Sequence, residues 1–260
     1  MPGPEHIRGH LDELRSRILR VAAIVGAVAV FAMTFHAEPF GAWGVTLYYP
    51  VPDPLDNIAA QVTAHMRHDL VPPGVQLIQT SPGQAFFAQV YVAALLALLA
   101  AMPAVARECV AFLRPALRER EVRAGRAILL PSVGLFAGGC AMAYLLVIPY
   151  ILEFLYRYGE SAGLLTFLNV IDFVVFVLQF LLAFGISFQL PLAMYAVSAS
   201  GAVDSGYWLR NARYAVIAIV VFGAAITPDG SGVTMWFISA PMMALYFAGV
   251  WAIRRAEARA

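Results

Sequence analysis

Four short segments carry residues whose types and spacing allow specific chemistry. The first is HLDELRSR, His10 to Arg17, where Glu13 stands two and four residues before Arg15 and Arg17. The second is AFLRPALREREVR, Ala111 to Arg123, in which Glu119 and Glu121 are interspersed with arginines after the break at Pro115. Carboxylates hold guanidinium groups in a planar two-bond fork that an ammonium does not reproduce. Glu13 and Glu121 therefore have the chemistry of an arginine-binding pair; the same residues are equally suited to ordinary surface ion pairs worth about 0–1 kcal/mol each. The third segment, LLAFGISFQLP, places the amide of Gln189 and the ring of Pro191 inside an apolar stretch that also begins with Asp172. Polar groups in such stretches bond to a neighbouring helix or line a wet cavity. The fourth, AHMRHDL, holds His65, His68 and Asp69, short of the usual complement of metal ligands and better read as a solvated helix face. No nucleotide-cradling glycine loop, H-E-x-x-H or G-x-S-x-G is present, so no motif points to an enzyme or to a nucleotide-driven pump, and no cofactor is implied.

The elements that hold these residues follow from composition. Of 260 residues, 61% are hydrophobic and 13% charged, about half the charged fraction of a soluble domain. The apolar residues form long continuous runs, which excludes an alternating transmembrane barrel and predicts helices in lipid. Six spans are expected: 18–35, 85–106, 128–150, 168–197, 212–226 and 234–253. The last two are short and joined by TPDGSG. No cleavable leader is expected, and the first span reads as a signal anchor. Prolines 103, 131, 149, 191 and 241 lie in or beside the spans and predict kinked helices in a concave all-α membrane assembly.

Orientation comes from arginine, the sole basic residue type apart from histidine. Fifteen of seventeen fall before the first span, between spans two and three, between four and five, or in the tail. Only Arg67 and Arg157 fall on the other side, where Glu38, Asp53, Asp56, Asp69, Glu153, Glu160 and Asp229 gather. Short cytoplasmic segments retain positive charge, so both termini are expected in the cytoplasm of a cell whose plasma membrane the chain crosses. The chain reads as one domain, 1–260, with a cytoplasmic segment 1–17, a cytoplasmic loop at about 107–127 and a long external loop at about 36–84. That external loop contains one amphipathic stretch, NIAAQVTAHMRHDL, expected to form a helix capping the spans. A net charge of +1 gives no field for nucleic acid, and Cys109 and Cys140 form no disulfide framework.

Taken together, HLDELRSR, AFLRPALREREVR and AFGISFQLP occur in the order found in the TatC family, the core subunits of the twin-arginine protein translocase. LPSVGLFAGGCAMAYLLVIP and ITPDG also resemble that family, and the likeness runs from His10 to about Val250. It implies a receptor for signal peptides bearing consecutive arginines, in a multimeric complex with single-span TatA/TatB-type subunits, driven by the proton-motive force. It further implies that Glu13 and Glu121 recognise the arginines, with Arg15, Arg17, Phe112 and Pro115 on the same surface. Relatives commonly carry glutamate where this chain has Gln189, which removes a titratable group but keeps a polar contact for a partner helix. The segment VARECV lacks the aromatic residues usual before the second motif, and its Glu108 adds a third acid. The long outer loop suits an archaeal-type member. The competing reading is a small secondary transporter with a pocket near Gln189 and Asp172.

Overall fold

The computed structural model describes residues 4–42, 45–113, 119–199, 201–227 and 232–258. They fall into two compact units, Met1–Phe112 with Phe167–Val175, and Leu113–Thr166 with Phe176–Ala260.

In the first unit, α1 (Pro4–Thr34) carries the charged lead-in directly into the first apolar run. A hairpin follows, β1 (Phe35–Ala42) paired antiparallel with β2 (Val45–Pro52), placing Glu38 opposite Tyr49. The predicted amphipathic helix is α2 (Ile58–Leu70), which buries Ala59, Met66 and Leu70. Its start is set by Asn57, whose Oδ1 accepts from the Ala60 N–H at 2.9 Å, a standard N-cap. Asn57 is fully buried and also donates through Nδ2 to the carbonyl of Pro54 and to Gln89 Oε1. The second bond ties the cap to α3 (Gln84–Leu113), whose buried Ala88, Val92, Ala93 and Ala97 give it a small-residue face. A short strand, β3 (Gln76–Ile78), pairs in parallel with β4 (Phe167–Asn169). The strands qualify the all-α expectation: the described residues are mostly helical, with four strands among them.

The second unit contains α4 (Glu119–Met142), a π turn at Ala143–Val147, and α5 (Ile148–Ser161). Pro149 would lose one helical donor and press its ring on the preceding turn. The inserted residue relieves this by letting the Ile148 N–H reach back to Ala143 instead. The fourth predicted span is broken into α6 (Val170–Ser187) and α7 (Leu190–Ala199) at Phe188–Gln189, just before Pro191. Three helices complete the unit: α8 (Ser205–Arg210), α9 (Ala212–Ile226) and α10 (Val233–Glu257). The core includes Phe180, Phe184, Met194, Ile238 and Ile253, all nearly inaccessible.

Among the described residues, five helical stretches are long and apolar enough to cross a membrane: Asp12–Thr34, Gln84–Glu108, Leu130–Ser161, Val170–Ala199 and Val233–Glu257. Large apolar side chains such as Val30, Leu130, Leu145, Val221 and Trp251 point outward, as lipid-facing residues do. The sixth apolar helix, α9, has 15 residues, as predicted. The expectation of a short last helix is corrected: α10 runs for 25 residues. The helix continues beyond its apolar run because Arg254 and Arg255 suit its C-terminal dipole and Glu257 finds two donors on Ser205.

Candidate functional site

The arginine-rich lead-in forms a defined ion-pair network. In α1, Glu13 and Arg17 are four residues apart and Arg17 and Arg20 three apart, so all three share one helix face. Arg17 reaches Glu13 Oε1 through Nε at 3.1 Å and Nη2 at 2.5 Å. Its remaining arm, Nη1, donates to Glu108 Oε2 at 2.6 Å, and Arg20 Nη1 donates to Glu108 Oε1 at 2.7 Å. Glu108 lies in the last turns of α3 and is only 7% exposed. A carboxylate so buried requires paired charges, and here each oxygen receives its own guanidinium. Glu13 is more accessible, its side chain 42% exposed. Among the described residues the network holds two carboxylates and two guanidiniums and is electrically balanced, with Glu13 its accessible acid.

Of the sequence-predicted residues, the structure joins Glu13 directly to Arg17, while Arg15 is exposed on α1. Phe112 lies in α3 and Glu121 in α4 of the other unit; their side chains, like the whole of Pro115, lie outside the described residues. Glu108 is visible in sequence as an extra acid, but its pairing with Arg17 and Arg20 spans about ninety residues and has no local signal. The usable clue was a lone glutamate at the end of an apolar run, where an unpaired charge would be costly.

Gln189 sits at the break between α6 and α7. It accepts from Ser132 Oγ at 2.8 Å and donates through Nε2 to the Ser132 carbonyl at 3.0 Å. The amide thus bridges to α4 within its own chain. Pro191 packs at the start of α7 against α10, where Gly249 leaves room: a Cβ there would lie 3.1 Å from Pro191 Cα. Asp172 is exposed in the first turn of α6, where a carboxylate complements the helix dipole. His65 contacts its own helix, Nδ1 lying 2.8 Å from the Gln61 carbonyl oxygen.

Several apolar helices of spanning length define a multi-pass membrane protein, with a charged cluster joining α1 to the end of α3. The profile of the family described as Sec-independent protein translocase protein (TatC) matches residues 9–241. A Sec-independent protein translocase protein TatC from Cenarchaeum symbiosum is 67% identical over 248 residues, covering 95% of this chain and 94% of that one. A TatC from Synechocystis is 31% identical, covering 94% of this chain and 86% of the relative. A solved structure, described as the twin arginine translocase receptor TatC, superposes with a TM-score of 0.78 at 26% identity, covering 95% of this chain and 99% of that one. The chain belongs to the TatC family.

Proposed function

We propose that this chain is the signal-peptide receptor and core subunit of a twin-arginine translocase, which moves folded proteins across the cytoplasmic membrane on the proton-motive force. The carrying observation is the accessible carboxylate of Glu13, already engaged by two N–H groups of one guanidinium and so chemically suited to a second. Glu13 and Glu121 take the peptide's arginines, and Arg15, Arg17, Phe112 and Pro115 border them. The inclusion of Glu121, Phe112 and Pro115 rests on the family likeness. Six spans form one domain with both termini cytoplasmic, supported by the arginine count of fifteen against two. The sixth crossing is α9, whose 15 residues extend about 22 Å and require local bilayer thinning. Single-span TatA/TatB-type subunits complete the complex, and the helix break at Gln189 and Pro191 is the contact for one of them.

A transporter built around Gln189 is not favoured: its amide is bonded at both ends to Ser132 rather than presented to a solute. The test is photocrosslinking of the purified chain to a peptide carrying two consecutive arginines before an apolar stretch. Capture near Glu13 and Glu121 is expected, and its loss with two lysines in the peptide or with Glu13→Gln/Glu121→Gln. Equal capture of every combination would refute the receptor role.

A further inference from the structure

We infer that Glu108 is a third carboxylate of the arginine-recognition face, and that Arg20 is its resident competitor. A peptide guanidinium takes the Glu108 Oε1 position that Arg20 now fills, next to Arg17. This rests on the receptor reading above.

The two guanidiniums on Glu108 are not equivalent. Arg17 makes three bonds, two to Glu13 and one to Glu108, and its side chain is 19% exposed. Among the described residues Arg20 makes one bond, and its side chain is 54% exposed. Arg17 is therefore the fixed bridge between the two acids, and Arg20 the arm free to swing into solvent. Charge balance selects the same exchange. A guest arginine added to the intact network would put three guanidiniums on two carboxylates. Releasing Arg20 keeps the local sum at zero and gives the buried Glu108 oxygen an equivalent donor. A guest lysine brings the charge but not the fork that matches a carboxylate edge. Glu108, already bridged to Glu13 by the Arg17 guanidinium, adds a neighbouring acceptor to the face that Glu13 and Glu121 offer a guest pair.

Because Arg20 and Glu108 form one ion pair, breaking it from either side separates recognition from mere support. The full chain in nanodiscs is titrated into labelled synthetic peptides carrying two arginines, or two lysines, before an apolar stretch, with binding read by fluorescence anisotropy. Glu108→Gln should weaken the arginine peptide several-fold, since the guest's charge-assisted bond is lost while the Arg20 bond it would have displaced is already gone, and should shrink its advantage over the lysine peptide. Arg20→Gln should strengthen the arginine peptide about two- to fivefold, the release of an exposed ion pair. If both variants weaken binding together, the pair is only structural and the inference is overturned; so it is if Glu108→Gln changes nothing. If Glu108→Gln does not fold, Arg20→Gln decides alone: a gain supports the competition, and no gain refutes it. Glu13→Gln separates the two levels. If it leaves arginine-over-lysine preference intact, the receptor site itself is misplaced. If it abolishes that preference while the Glu108 and Arg20 variants match wild type, only the present inference fails.

Discussion

Two adjacent glycines in α4 should respond oppositely to the same added methyl group. A Cβ at Gly138 would meet nothing within 4 Å, whereas one at Gly139 would lie 2.6 Å from the Phe184 carbonyl oxygen and 2.9 Å from the Phe188 ring. A carbon approaches a carbonyl oxygen no closer than about 3.3 Å, so α4 and α6 would have to separate by roughly 0.7 Å. The obstacle is α6 backbone, which cannot rotate away as a side-chain tip would. Overpacking of this kind costs about 1–3 kcal/mol, while replacing glycine by alanine in a helix returns about 1 kcal/mol. Gly139→Ala should therefore destabilise by up to about 2 kcal/mol. Gly138→Ala should stabilise by about 0.5–1 kcal/mol, since only the helix preference acts there. In lipid, helix association depends on close packing, so the difference should persist in a bilayer mimic. Unfolding by SDS in mixed micelles, followed by tryptophan fluorescence, gives the midpoints. Shifts of the same sign in both variants would refute the close α4–α6 contact.

Three further perturbations test other contacts. Gln189→Leu removes both bonds to Ser132, and at about 0.6 kcal/mol per interhelical bond it should cost roughly 1 kcal/mol of stability in the same micelle assay while sparing peptide capture; loss of capture would place Gln189 in recognition instead. Glu257→Ala leaves the largely buried Ser205 N–H without its acceptor and should cost about 1–3 kcal/mol, with faster proteolysis between α7 and α8, whereas Glu257→Gln retains an acceptor and should cost less. The Asp53 carboxylate is held below its usual range by the N–H groups of Asp56 and Leu55, so the turn it stabilises is complete above its ordinary value near 3.8 and loosens as pH falls through the lower folded value. Amide exchange at Leu55 and Asp56 should show this acid-dependent opening in wild type and lose it in Asp53→Asn, which keeps a neutral acceptor; identical pH profiles would refute it.

The parts of this fold visible in sequence are those governed by local pattern. The run Ala212–Ile226 is bounded by Asn211 and by Thr227, and both ends coincide with α9. The amphipathic stretch after Asn57 became α2 because its cap and its apolar spacing agree. The hairpin was hidden by Pro39, Pro50 and Pro52, residues that argue against a strand in a sheet interior. A two-stranded ribbon has only edges, with many N–H groups facing outward, so it tolerates them. Pro191 marks a kink in sequence, and the break at Phe188–Gln189 falls just before it, but a proline alone does not say whether a membrane helix stops or only bends. Here it separates α6 from α7, and Gln189 at the break bonds to Ser132 fifty-seven residues away.

The candidate site divides along the same physical line. That acids stand in a zone which topology keeps positive is a matter of composition, and it directs attention to Glu13 without knowledge of the fold. Which acid is buried is a matter of tertiary packing. Sequence does not say how deeply Glu108 and Glu13 lie, yet one is enclosed between two guanidiniums and the other half-open to solvent. That difference in exposure sets their chemical roles. A buried carboxylate exchanges a partner only when an equivalent cation replaces it, because desolvation penalises any interval without one. An open carboxylate accepts a partner whenever one arrives. On the proposed exchange, a guanidinium joins Glu13 without displacing a partner, whereas one reaching Glu108 must displace Arg20.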